Sequence, residues 1–183
     1  MRVARLLIAD DGRDFVGRDV EAADLVFGGL VGHRHFGTTM TSDSRTPWHA
    51  RGTRIANLRQ ISLVSLEECA QIAAALALPE IGAVDLPALI GTNLVLADAP
   101  GLTEAIAPGM RLQFPSGATL FVTERNPPCR QPGGKLAAAL GRPELTFDFV
   151  AAARGRRGLV ALVEREGRVA TGDAVKPIRP RPY

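Results

Sequence analysis

The chain has 183 residues, 46% of them hydrophobic and 22% charged, which is enough for one domain with its own core, and it holds no apolar run of membrane-spanning length. Its net charge of +3 is modest, its basic residues are scattered and its aromatics make up only 5%, which argues against a dedicated nucleic-acid binder. Its two cysteines are too few for a disulfide framework or a four-cysteine iron–sulfur cluster.

The opening Met1-Arg2-Val3-Ala4-Arg5-Leu6-Leu7-Ile8 reads as a short first strand. Its apolar stretch is too short for a secretory signal, so a cytoplasmic protein is expected. Residues 1–60 otherwise show little periodicity. Within them, Phe27-Gly28-Gly29-Leu30-Val31-Gly32-His33-Arg34-His35-Phe36-Gly37 sets two histidines around an arginine in a glycine-rich segment. On a strand His33 and His35 would share a face. Metal binding, anion contact, polar lining of a cleft and a plain loop are all readings of this pattern, and no further ligand pairs at metal-site spacing accompany it. Gly28, Gly29 and Gly32 are not followed by a helix, so they form no dinucleotide fingerprint. Neither a phosphate-binding P-loop nor a Gly-x-Ser-x-Gly elbow occurs.

Thr38 to Gly52 reads as a long loop, and such loops are often functional; closure over a ligand is the expectation for it. Arg54 to Ser65 alternates Leu58, Gln60, Ser62 and Val64 against Arg59, Ile61 and Leu63, as a strand would. Ser65, with Glu68 three residues on, is a capping box. It opens a helix whose apolar face is Leu66, Cys69, Ala70, Ala73 and Leu76 and whose end falls near Leu78-Pro79. Cys69 is then a small core residue, and a Cys69–Cys129 disulfide is not expected. Asp85 to Leu96 reads as a short helix or turn, a break at Gly91 and a strand. Met110–Phe114 and Ala118–Thr123, joined through Pro115-Ser116-Gly117, read as a hairpin.

That hairpin delivers the chain to Asn126-Pro127-Pro128-Cys129-Arg130. Proline fixes its own φ and pushes the preceding residue into extended conformation, so the backbone presenting Cys129 is rigid. Arg125 and Arg130 set positive charge near the thiol, and thiolate is both the nucleophile and the metal ligand. A reactive centre and a buried structural cysteine both remain open at this point. Lys135–Leu140 reads as a small helix. Leu159–Val163, Arg168–Ala170 and Asp173–Lys176 read as a closing hairpin followed by a strand, with a frayed tail after it. Only Lys135 and Lys176 are lysines, so arginine supplies nearly all the positive charge. A GC-rich genome accounts for that, while the planar guanidinium fork suits phosphate or carboxylate at particular positions. Short strands bounded by Gly and Pro, with a few short helices, point to a mainly β, barrel-like domain.

The ordered pieces Gly29-Leu30-Val31-Gly32-His33-Arg34-His35, Arg59-Gln60-Ile61-Ser62-Leu63-Val64-Ser65-Leu66-Glu67-Glu68, Gly91-Thr92-Asn93-Leu94, Pro108-Gly109, Pro128-Cys129-Arg130, Arg157-Gly158-Leu159 and Gly172-Asp173 resemble the MOSC domain, named for the C-terminal domain of molybdenum-cofactor sulfurases. The resemblance is to a stand-alone, bacterial-type member. Where members often carry an acidic residue before the Arg-His pair, this chain has His33.

The resemblance implies a single domain, residues 1–183, with a core over 25–177 and a flexible tail at 178–183. It implies a mostly β barrel with a few helices, and makes Cys129 the sulfur carrier or the ligand to molybdenum. Related members that hold the molybdenum cofactor (molybdopterin) reduce N-hydroxylated bases and amidoximes. On that pattern Arg34, Arg54, Arg59 and Arg130 would hold the phosphate or pterin edge, Asn93 would bond the pterin amide and His35 would supply a proton. Fused members carry a pyridoxal-phosphate desulfurase half, and this chain is not expected to hold pyridoxal phosphate. Three functions follow: a molybdenum-dependent reductase of N-hydroxylated compounds, a carrier bearing a persulfide on Cys129, or a non-catalytic pterin-binding module. The expected partners are a small-molecule substrate and a separate electron-donor or sulfur-donor protein, with neither nucleic acid nor membrane.

Overall fold

A computed structural model describes residues 1–10, 14–78 and 85–180. In chain order the elements are β1 (Arg2–Ile8), β2 (Arg18–Val20), β3 (Ala22–Val26), β4 (Gly29–Leu30), β5 (Thr39–Thr41), β6 (Arg54–Ala56), β7 (Ile61–Ser65), α1 (Leu66–Ala75), α2 (Leu86–Leu89), β8 (Leu94–Ala97), α3 (Leu102–Ala105), β9 (Arg111–Gln113), β10 (Thr119–Arg125), α4 (Arg130–Leu140), α5 (Leu145–Ala152), β11 (Leu159–Arg165), β12 (Gly167–Ala170) and β13 (Lys176–Ile178). The protein is mainly β with few helices. Its main sheet has eight strands in the order β13-β9-β10-β11-β7-β8-β1-β2; β12-β3-β4 and β5-β6 form two smaller sheets.

The barrel expected from the sequence does not close among the described residues. The edges of the main sheet are β2 and β13, three residues each, and closure would require them to pair. Pro177 in β13 lacks the N–H that would extend the ladder, and Arg18 and Asp19 put charge on β2, as edge strands often do.

The centre of the main sheet is buried on both faces. Leu6, Ile61, Leu63, Leu94 and Leu96 turn one way, into a core shared with Leu25, Leu30 and Val169 of the β12-β3-β4 sheet. Leu7, Val64 and Val95 turn the other way, against Cys69, Ile72, Leu136, Leu145 and Phe149 of the helices. Two-sided burial explains why β7, β8 and the end of β1 read as near-continuous apolar runs, and β7 and β8 pair in parallel. Ser65 caps α1 as expected, its Oγ accepting from the Glu68 N–H at 3.0 Å. Cys69 is buried.

Several local readings change. The 38–52 stretch is not a structureless loop, because Thr39–Thr41 pairs with Arg54–Ala56; the expected strand from Arg54 to Ser65 is therefore two strands, parted at Asn57–Gln60. His33 and His35 lie in turns rather than on a strand. The helix expected over 135–140 begins at Arg130, and α3 and α5 carry no signal strong enough to have been read. The closing hairpin does not form: β11 pairs with β10 and β7, whereas β12 pairs with β3. The expected tail begins inside β13, whose Ile178 pairs with Arg111. The part of that tail at 181–183, like the helix end expected at Pro79, lies outside the described residues.

One contact ties these layers to the cysteine loop. Gly158 has φ +78, and a Cβ built on it would sit 1.8 Å from the Leu63 carbonyl oxygen. Its N–H donates to Thr103 Oγ1 at 2.9 Å, and its carbonyl accepts from the Asn126 N–H at 2.9 Å. Thr103 Oγ1 in turn donates to the buried Glu68 carboxylate at 2.8 Å. Gly158→Ala should therefore cost more than about 4 kcal/mol, or abolish soluble folded protein, in denaturant unfolding. A variant within about 1 kcal/mol of the parent would refute this close approach.

Candidate functional site

The site is built where β10 ends. From Arg125 the chain runs through Asn126-Pro127-Pro128 to Cys129, with Asn126 held twice: its N–H by Gly158, and its Oδ1 by Arg59 Nη2 at 2.9 Å. Cys129 has extended backbone, φ −136 and ψ 173, and is the N-cap residue of α4 without a side-chain capping bond. Its thiol is free and exposed. It stands at the positive end of an 11-residue helix. The first-turn residue Pro132 contributes no N–H there.

Two arginines lie close enough to Cys129 for their charges to interact with it. Arg45 is one; its guanidinium is raised above the usual range chiefly by its hydrogen bonds to Asp43, with Cys129 adding to the shift. Arg157, adjacent to Gly158, is the other and is only 6% exposed. Its Nη2 donates to the Ile90 carbonyl at 2.5 Å, whereas Nη1 is buried without a partner. Desolvation pushes this guanidinium down to about 10, opposed by Cys69 and Cys129, so it is cationic at neutral pH. Desolvation pushes the Cys69 thiol up to about 12, which makes that cysteine inert by comparison.

Beside the cysteine loop lies a cleft of about 270 Å³ lined by Arg34, His35, Phe36, Thr39, Met40, Thr41, Arg45, Asn57 and Arg59. Asn57 shapes it: Nδ2 donates to the carbonyls of His35 and Gly37 at 3.0 and 2.9 Å, and Oδ1 accepts from the Arg59 N–H at 3.1 Å. Arg45 grips Asp43 through Nε and Nη2, the latter at 2.6 Å, which holds the Asp43 carboxyl down to about 2. Arg59 joins the cleft to the cysteine loop. It donates to Glu124 and to Asn126, its side chain is 7% exposed, and its Nε is buried without a partner.

The two histidines differ in setting. His33 is buried, and its Nδ1 accepts from the Ala9 N–H at 3.2 Å. His35 lines the cleft with its ring 5.4 Å from that of His33, edge to face. Burial pushes His33 down to about 4, aided by His35 and Arg34. Partial desolvation of His35, which keeps an exposed surface, combines with Arg34, Arg45 and Arg59 to push it down to about 4 as well. Both rings are therefore neutral at pH 7. His35 offers a hydrogen bond in the cleft rather than a stored proton. Among the described residues no group of three or more His, Cys, Asp or Glu side chains is placed to hold a metal ion.

Of the residues singled out from the sequence, Arg34, His35 and Arg59 line the cleft, and Cys129 is tied to it through Asn126 and Arg45. The other three do not line it, although Arg54 bonds a residue that does. Arg54 is exposed on β6, its Nε donating to Thr39 Oγ1 at 3.3 Å. Arg130 stacks on Phe147, its guanidinium carbon 4.7 Å from the ring centroid. Asn93 is buried at 2% exposure; its Oδ1 accepts from the Ser62 N–H and hydroxyl, and its Nδ2 donates to the Leu7 carbonyl. Its amide clamps β1, β7 and β8 and is not available to a ligand in the cleft. Nothing in the sequence marks Arg45, Asn57 or Arg157 strongly as site residues. The one available signal for Arg45 was its place in a long polar segment, and for Arg157 its place before a glycine.

The MOSC domain family model matches residues 33–176. The chain is 42% identical over 172 residues to YuaD of Bacillus subtilis (strain 168), a protein whose name proposes a part in metal-sulfur cluster biosynthesis; the match covers 93% of this chain and 86% of that one. The crystal structure of the Bacillus subtilis YuaD protein superposes with a TM-score of 0.91 at 40% identity, covering 98% of this chain and 96% of that one. YiiM from Geobacillus stearothermophilus shares the fold, with a TM-score of 0.61 at 13% identity over 97% of this chain and 75% of that one. No helix among the described residues is long and apolar enough to cross a membrane.

The buried neutral His33 makes stability depend on pH. Its folded pKa of about 4 lies below the ordinary 6.5, so between those values the unfolded chain binds more protons. The contribution is complete above pH 6.5 and disappears as pH falls to 4, on the order of 3 kcal/mol for His33. Unfolding midpoints measured from pH 7 to 4 should fall accordingly. His33→Asn, which can keep an acceptor for Ala9, should flatten that slope; an unchanged slope would count against the assignment.

Proposed function

This chain belongs to the MOSC domain family, and on that footing we propose that it is a sulfur carrier, in which Cys129 holds a sulfur atom as a persulfide for the assembly of a metal–sulfur centre. The observation that carries this reading is the free, exposed Cys129 thiol at the N-terminus of α4, on a base fixed by Gly158 and Arg59 and within electrostatic reach of Arg45 and Arg157. Reactive cysteines occupy electropositive, accessible settings of this kind. The name of YuaD, 42% identical to this chain, supports the same reading.

In loading from a protein persulfide, the Cys129 thiolate attacks the outer sulfur of the donor. A new S–S bond forms, the donor's S–S bond breaks, and the donor thiolate leaves with the electron pair. The terminal sulfur on Cys129 carries a negative charge, which Arg45 and Arg157 stabilise. Cys69 is buried and inert and does not compete.

A second reading rests on the same thiol beside the same cationic cleft. The residues suit the anionic end of a pterin cofactor: Arg34, Arg45 and Arg59 would hold its phosphate by charge-assisted hydrogen bonds, and Cys129 would offer a soft thiolate to molybdenum. Such a cofactor would supply two-electron reduction of N-hydroxylated compounds, fed by a separate electron-donor protein. Arg54, Arg130 and Asn93 take no part in either reading, and His35 acts as a neutral hydrogen-bonding group.

Reduced protein incubated with a cysteine desulfurase and free cysteine should gain the mass of one sulfur atom on Cys129, removable by dithiothreitol. Cys69→Ser should load fully and Cys129→Ser not at all. Loading elsewhere, or none, sinks the carrier reading. If near-stoichiometric molybdenum then accompanies protein made in a cofactor-producing host and disappears in Cys129→Ser, the second reading takes its place.

A further inference from the structure

The cleft holds donors that the transfer from a protein persulfide does not use. Arg59 Nε is buried without an acceptor, and Arg59, Arg45, Thr39 and Thr41 line a volume of about 270 Å³. The nearby carboxylates are already committed, Asp43 to Arg45 and Glu124 to Arg59. The acceptor side chain of Asn57 is committed to the Arg59 backbone. The cleft is therefore lined by guanidinium groups that those carboxylates hold in place. A compact oxyanion, which accepts several hydrogen bonds through oxygens on one centre, matches that lining. Arg59, which lines the cleft, donates from Nη2 to Asn126 Oδ1 at 2.9 Å, three residues before Cys129, so the cleft abuts the loop that carries the thiol.

We propose that the cleft of Arg45 and Arg59 binds thiosulfate-class oxyanions and that Cys129 takes its sulfur directly from them. This rests on the persulfide reading of Cys129 and names a small-molecule donor for it. The Cys129 thiolate attacks the outer, sulfane sulfur of thiosulfate. An S–S bond to Cys129 forms, the S–S bond within thiosulfate breaks, and sulfite leaves with the electron pair. Thiolate plus thiosulfate becomes persulfide anion plus sulfite. Atoms and charge balance, and neither oxidant nor reductant is required. Charge moves onto the sulfite oxygens as the bond breaks, where fixed guanidinium donors lower the barrier.

The test uses the reduced full chain with sodium thiosulfate, following sulfite release and the mass of Cys129. The expected result is one sulfite for each sulfur gained on Cys129. Arg45→Gln, on an exposed segment, should slow thiosulfate loading roughly tenfold to a hundredfold, a larger loss than in loading from a cysteine desulfurase with cysteine, where Arg45 acts only on the persulfide formed. Arg59→Lys, checked for folding by circular dichroism, should slow thiosulfate loading in the same direction. Loading by the desulfurase but not by thiosulfate would overturn this inference and leave the carrier reading standing. Failure of both donors would remove both. Thiosulfate loading unaffected by Arg45→Gln would overturn the cleft as its binding site.

Discussion

The contact between Gly158 and the Leu63 carbonyl is the constraint on which the rest depends. It brings β11 against β7 at a distance no side chain tolerates, in a backbone conformation that glycine alone adopts readily. Everything that presents Cys129 hangs on this point. The Gly158 carbonyl takes the Asn126 N–H at the start of the cysteine loop, and its N–H reaches Thr103 and through it Glu68 at the cap of α1. Arg157 is carried into the interior because it immediately precedes this glycine. The thiol is thus positioned by the centre of the main sheet, although it lies on the surface.

A second theme is the cost of burying arginine. Arg157 and Arg59 each have a buried nitrogen with no partner, and leaving a charged donor unsatisfied costs stability. A fold selected only for stability would favour apolar groups of similar volume there. Both guanidiniums are instead kept, one close enough to feel the charge of Cys129 and the other joining the cleft to the cysteine loop. Desolvation, with Arg59 adding to it, pushes both His35 and Arg157 down, so the guanidinium groups gather beside a neutral histidine. The two readings of function differ in what that charge holds: a sulfur anion on Cys129, or the phosphate of a cofactor. They agree on the thiol.

Much of this was legible in the chain. The period-2 and apolar runs of β7 and β8, the Ser65 capping box and the β9–β10 hairpin are local signals, and local physics sufficed for them. The rigid presentation of Cys129 followed from Pro127 and Pro128. The full length of α4 was less legible, because Pro132, Gly133 and Gly134 argue against a helix by propensity. Pro132 is tolerated in the first turn, and Gly133 lies where a Cβ would meet the Thr146 carbonyl at 2.6 Å, so packing against α5 overrides propensity. The pairing of β12 with β3 rather than β11 was not legible either, since a two-stranded reading cannot see a partner far back in the chain.

The sequence by itself determined the mainly β composition, the family and the burial of Cys69 on a helix face, because each depends on residue type and short-range order, whereas the exposure of Cys129 was settled by the tertiary structure. The tertiary structure decided which arginines come within electrostatic range of the thiol. Arg45 and Arg157 are distant in sequence from Cys129 and from each other, and they come into that range only through the fold. It also gave Arg130 and Asn93 partners outside the cleft lining and left Arg54 beside the cleft, on Thr39. Charge acts through space, and a sequence orders residues only along the chain.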